Sequence, residues 1–139
     1  MLRMSKKVEY GLIALLHMKA KTGRQLSSAR ELSEQYDIPP ELIGKILQRL
    51  ARAGFLESVQ GVKGGYRLAV PLDAVTVQQM VEVLEGPIQL VNCRPGNGGP
   101  DCRQHAGCMI RSPMAEIQDR LKTFFENITL KDLQESTAN

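Results

Sequence analysis

At 139 residues, with 42% hydrophobic and 24% charged residues, the sequence has the size and balance of one globular domain plus an appendage. Three Phe, three Tyr and no Trp exclude an aromatic stacking surface for single-stranded nucleic acid, and no apolar run nears the roughly 18 residues of a membrane span. A net charge of +3 and a pI of about 8.9 suit a polyanionic partner but leave the decision to where the basic residues lie.

The first twenty residues run from basic to apolar, but His17 and Lys19 interrupt the stretch and no small-residue cleavage site follows, so they predict a helix rather than a signal. Three cysteines cannot close a disulfide framework within one chain, which points to a reducing cytoplasm. From Ser5 to about Lys21, Val8, Leu12, Leu15 and Leu16 recur at helical spacing, widened by Ile13 and Met18. After a turn at Thr22-Gly23-Arg24, Ser27 and Ser28 are placed to cap a short helix from Ala29 to about Tyr36, with Ala29, Leu32 and Tyr36 facing inward. Asp37-Ile38-Pro39-Pro40 ends it and begins a third helix, because proline suits a first helical turn. Leu42, Ile43, Ile46, Leu47 and Leu50 form its apolar stripe, and Gly54 stops it.

Two short strands, 55–60 and 66–70, then flank the tip Gly61-Val62-Lys63-Gly64-Gly65. Thr76 and Gln79 form a capping box for a fourth helix carrying Val77, Met80, Val81 and Leu84, which stops at Gly86-Pro87. From 91 to 111 glycine, proline and asparagine crowd out regular structure, and every cysteine falls here. Ser112-Pro113 opens a long helix with Ile117, Leu121, Phe124, Phe125 and Ile128, and Thr129 with Asp132 opens a short last one before a polar tail. The expected fold is mostly α with a small β-hairpin wing. It divides into a winged helix-turn-helix DNA-binding domain at 1–86, a cysteine-containing cluster-binding loop at 87–111, and a dimerisation helix and tail at 112–139.

In that layout the third helix enters the major groove, and its first turns reach base edges, which nominates Pro39, Pro40, Glu41 and Lys45. Arg49 and Arg52 lie further along for phosphates, while Lys63 and Gln60 serve the wing, whose glycines allow close approach to the duplex. Ser5 and Lys6, with Arg3, Lys7 and Arg30, add contacts to phosphate that carry no sequence information. The long helix needs a surface for Phe124 and Phe125. A second copy provides one, making a homodimer on a palindromic double-stranded operator; the alternative is that the helix folds back on its own domain. His17 reads as surface or packing, and Met18, Met80 and Met114 as filler of core or interface.

The cysteines are spaced Cys-x8-Cys-x5-Cys, as Cys93, Cys102 and Cys108. The absence of a Cys-x2-Cys pair argues against structural zinc, whereas three thiolates on a glycine loop suit an iron-sulfur cluster. One position stays open to His105, Asp101 or Glu9. A direct thiol or zinc switch without a cluster, and an iron-sulfur carrier that binds protein rather than DNA, remain as alternatives. Neither a nucleophile-base set nor a phosphate loop stands out, so no enzyme is expected.

Taken together, MLRMSKKVEYGLIALLHM at the start, the wing Gly61-Val-Lys-Gly-Gly-Tyr-Arg-Leu, the three cysteines beyond the fourth helix, and Asn127-Ile-Thr-Leu-Lys-Asp-Leu resemble the IscR, NsrR and RirA type of winged-helix regulator over nearly the whole chain. The resemblance implies a cytoplasmic homodimer crossed through its C-terminal helices. Its target genes would serve cluster assembly, iron homeostasis or nitrosative stress, and cluster-assembly proteins would be further partners. It also implies that Cys93, Cys102 and Cys108 are ligands. Members with a histidine ligand carry it three residues after the last cysteine, where Arg111 stands here; NsrR-like members use a carboxylate from the first helix of the other subunit, where Glu9 stands. The resemblance thus favours Glu9 over His105, and the long first gap, nearer RirA, places 4Fe-4S ahead of 2Fe-2S. Gln60 replaces an arginine of several relatives and Gly44 a larger polar residue, so operator preference does not carry over.

Overall fold

The computed structural model describes residues 3–21, 25–90 and 109–137. Cys93, Asp101, Cys102, His105 and Cys108 lie outside them. Helix α1 (Lys6–Ala20) starts where the Val8 backbone N–H donates to Ser5 Oγ at 3.3 Å, and it buries Val8, Ala14, Leu15 and Met18. The two serines before α2 (Ala29–Tyr36) divide their work. Ser28 Oγ caps the helix by accepting from the Glu31 N–H at 3.0 Å, while Ser27 exchanges two 2.8 Å backbone hydrogen bonds with Tyr66 of the wing. Asp37 takes a left-handed conformation (φ 54) to end α2, and Ser33 Oγ donates to the Ile38 carbonyl at 2.6 Å, closing the turn. Helix α3 (Pro40–Arg52) follows and buries Ile43, Ile46, Leu47 and Leu50.

Strands β1 (Leu56–Val59) and β2 (Gly65–Leu68) pair antiparallel with Leu56 opposite Leu68 and Val59 opposite Gly65. They are shorter than their apolar pattern suggests, and β2 begins at Gly65 because that backbone lies against Ser27: a Cβ there would stand 2.8 Å from the Ser27 carbonyl oxygen. A short 3-10 turn (Leu72–Ala74) leads to α4 (Val77–Leu84), whose reciprocal capping box joins the Thr76 N–H to Gln79 Oε1 at 2.9 Å and the Gln79 N–H to Thr76 Oγ1 at 3.1 Å.

Helix α5 (Arg111–Glu126) runs against α4, and α6 (Leu130–Thr137) returns to the 3-10 turn and α1. Thr129 and Asp132 cap α6 reciprocally at 2.9 and 3.2 Å, and Val75 and Val77 share backbone hydrogen bonds of 2.9 Å with Leu130 and Ile128. Leu130 is fully buried, so the C-terminal end completes the core made by α1, α2, α3, β1 and α4. At about 1.5–3 kcal/mol for each fully buried aliphatic side chain, this single cluster is the main source of stability. Tyr36 departs from the sequence expectation. It is 37% exposed and sets its ring edge-on to His17, with centroids 5.4 Å apart.

The adjacent serines give opposite expectations. Ser28→Ala removes a helix cap and lowers stability by about 1 kcal/mol. Among the described residues the buried Ser27 Oγ meets no hydrogen-bond partner, so Ser27→Ala leaves the melting temperature unchanged or raises it. Thermal denaturation of both variants checks this, and equal losses would contradict it.

Candidate nucleic-acid interface

Helix α3 presents to solvent Pro40, Glu41, Lys45, Gln48 and Arg52, opposite its buried stripe. Pro39 is its N-cap and Pro40 its first residue, while Ile38, 2% exposed, anchors the turn from α2. Among the described residues, no acidic side chain lies within ion-pair distance of Lys7, Lys45, Arg52 or Lys63. Three of these cations, with Gln48 and Arg49, line one cleft between α1, α3 and α4 of about 480 Å³, floored by Leu42, Ile46 and Leu84. Unpaired cations arrayed in this way favour a polyanion. Gln48 was missed in the sequence, although its spacing of one and two turns from Lys45 and Glu41 carried the signal.

Other nominated residues have partners within the chain. Arg49 Nη1 donates to the Leu84 carbonyl at 3.0 Å, tying α3 to the C-terminus of α4. Lys6 pairs with Glu9 at 3.1 Å, a surface contact that raises the lysine through hydrogen bond and charge and that phosphate can displace at little cost. Ser5 Oγ is engaged as the cap of α1, and Arg30 pairs with Glu34 at 2.9 Å.

The wing holds Gln60, Val62 and Lys63 exposed at its tip. Gly61 sits at φ 116, and a Cβ on Gly64 would run into the Val59 carbonyl, so the tip admits no larger residue at either place without rearrangement. Arg67 spans the hairpin to Glu57 at 2.9 Å, and its hydrogen bond and charge hold the Glu57 carboxyl below its usual range. The Ser27–Tyr66 bridge fastens the wing to the segment before α2, so helix-turn-helix and wing are set in one frame.

His17 joins α1 to α2. Its Nε2 lies 2.7 Å from Glu31 Oε2 and its Nδ1 2.8 Å from the Tyr36 hydroxyl. Lys21 Nζ reaches the same carboxylate at 2.6 Å and also donates to the Leu26 carbonyl at 2.8 Å. Burial pushes the Glu31 carboxyl up, but Lys21 and His17 together outweigh it and hold the group below its ordinary value.

Glu9 stands in the first turn of α1 with 42% of its side chain exposed. It borders a groove of about 540 Å³ lined by Leu12, Ile13, Leu16, Leu133 and Ser136, between α1 and α6. Among the described residues no three His, Cys, Asp or Glu side chains converge, and no helix is long and apolar enough to cross a membrane.

A family model named Rrf2, described as an iron-dependent transcriptional regulator, matches residues 4–136. The chain belongs to the Rrf2 family. Solved structures share the Rrf2 fold across nearly the full length. CymR, the global cysteine regulator of B. subtilis, is 27% identical with a TM-score of 0.73, over 98% of this chain and 98% of that one. Staphylococcus aureus CymR is 26% identical with a TM-score of 0.71, over 94% of this chain and 97% of that one. T. potens IscR matches in fold at 22% identity and a TM-score of 0.73, over 98% of this chain and 88% of that one. This Rrf2 protein is therefore a winged-helix, DNA-binding transcriptional regulator rather than an enzyme.

The α1–α2 clamp gives the Rrf2 domain a defined acid sensitivity. A carboxyl lowered in the folded state stabilises above its unfolded value near 4.5, and that stabilisation disappears as pH falls through the lower folded value. The melting temperatures of the wild type and Glu31→Gln should differ most near neutrality and converge in acid. A gap independent of pH would contradict this.

Proposed function

We propose that this Rrf2 protein is a cytoplasmic homodimer on a palindromic operator, whose grip is set by an iron-sulfur cluster held by Cys93, Cys102 and Cys108 with Glu9 of the partner subunit. The observation that carries the reading is the gathering of every cysteine between α4 and α5, in a family described as iron-dependent. The donor set suits the group: three soft thiolates match iron, and among the described residues Glu9 is engaged by a surface lysine that it can exchange for another cation. These residues suit 4Fe-4S before 2Fe-2S, with cluster-assembly proteins as the source. Bound there, the cluster supplies a chemistry that side chains lack, being altered or lost with oxygen, nitric oxide or iron scarcity. In this scheme residues 1–86 read DNA, 87–111 hold the cluster and 112–139 pair the copies.

For the operator, Pro39, Pro40, Glu41 and Lys45 face base edges, and Arg49, Ser5, Lys6, Gln60 and Lys63 position the backbone. The second copy is supported by α5. Leu121 and Phe125 turn toward the domain, but Ile110, Ile117 and Phe124 recur every seven residues and remain 59%, 50% and 59% exposed. A seven-residue apolar seam is what a like helix covers. The similarity to CymR, described as a cysteine regulator and solved also in an oxidised form, favours one other reading, a direct thiol switch without a cluster.

Anaerobic purification with iron and sulfide analysis separates the two. The wild type should be brown, Cys102→Ala colourless, and Glu9→Ala should lose its colour faster in air. A wild-type protein that stays colourless and iron-free after reconstitution would contradict the cluster and leave the thiol switch.

A further inference from the structure

We propose that Gly44 is the point where the α3 backbone comes closest to the duplex, set against the methyl group of a thymine, and that it thereby selects the operator. The inference rests on α3 as the reading helix. Gly44 lies in the interior of that helix, ringed on its exposed face by Pro40, Glu41, Lys45 and Gln48. Glycine weakens a helix interior relative to alanine, so such a residue calls for a reason.

The other described glycines carry theirs within the chain. A Cβ on Gly11 would stand 2.6 Å from Leu84 Cδ1, those on Gly64 and Gly65 would meet the Val59 and Ser27 carbonyls, and Gly54, Gly61 and Gly86 have φ of 88, 116 and 102. Gly44 has none of these features. Its φ is not positive, and a Cβ built on it meets nothing within 4 Å among the described residues. The described fold would accept alanine there and gain from it, which directs the reason to the face that α3 offers to DNA.

A bare Cα leaves a notch between longer polar side chains. Its backbone N–H and C=O are used by the helix, so it offers neither donor nor acceptor to a base edge. In the major groove the one apolar group at base edges is the C5-methyl of thymine, while the other groups presented there ask for hydrogen bonds. Glu41, Lys45 and Gln48 around the notch can meet cytosine, guanine and adenine respectively. A side chain at 44 would hold the helix off and weaken these neighbours as well.

The test begins by enriching duplexes from a randomised pool with the wild-type protein, then compares wild type, Gly44→Ala and Gly44→Ser on the enriched duplex and on an unrelated one. Gly44→Ala should melt a few degrees higher yet bind the enriched duplex roughly tenfold or more weakly, as for a mismatched base pair, with affinity for the unrelated duplex unchanged. Replacing thymines one at a time by deoxyuridine should reveal a position in each half-site that weakens the wild type and not Gly44→Ala. Undiminished binding by Gly44→Ala, or a loss shared equally by the unrelated duplex, overturns the inference. Failure of the wild type to enrich any sequence would overturn the reading of α3 itself, and the inference with it.

Discussion

Gly11 sits where α1, α3 and α4 meet, and the absence of its side chain lets the three helices close on one another. A Cβ at that position would stand 2.6 Å from Leu84 Cδ1, 3.1 Å from Met80 Cε and 3.7 Å from Ile46 Cγ2. Interiors packed this tightly transmit displacement rather than absorb it. The junction holds the end of α4, from which the chain departs toward its cysteines, against α3. Arg49 adds a directional bond to the same place through the Leu84 carbonyl. A displacement of the end of α4 therefore passes to α3 through a junction that has no slack to take it up.

A second frame, polar rather than apolar, orients the helix-turn-helix and wing. Glu31 gathers Lys21 and His17 from α1, and His17 in turn holds Tyr36 at the end of α2. Ser27 fixes the wing to the approach of α2 through backbone hydrogen bonds. What remains for solvent is a set of cations that no acidic side chain among the described residues neutralises, on the α3 cleft and the wing tip. Leaving them unpaired costs little in water and saves the exchange that a phosphate contact would otherwise require.

Helix positions were legible in the sequence because a 3.6-residue period and local caps suffice to mark them: Ser28, the Thr76–Gln79 box and the Thr129–Asp132 box each work within four residues. The division of labour between Ser27 and Ser28 was not, since Ser27 meets a wing residue far along the chain and nothing local distinguishes the two. Tyr36 was misjudged for a related reason, because the rotation of α1 against α2 decides whether a residue at a stripe's edge is buried or meets a partner at the surface, and His17 packs there in the role its position suggested. Phe124 and Phe125 are neighbours that point to different surfaces, one packed on the domain and one exposed. Of the candidate site, the solvent face of α3 followed from its place after the proline turn, but Gln48 and the notch at Gly44 needed the exposed surface. The cysteines enter by residue type and spacing alone, which give soft donor atoms without placing them.

The decisive measurement is the affinity of the full-length protein for its enriched operator with the cluster intact and after anaerobic removal of iron. A cluster that controls the regulator must bind the two DNA-binding states unequally, so the two affinities should differ by roughly five- to 150-fold, the usual span of an allosteric coupling. Equal affinities would contradict it, and would leave the cysteines without control over DNA through iron.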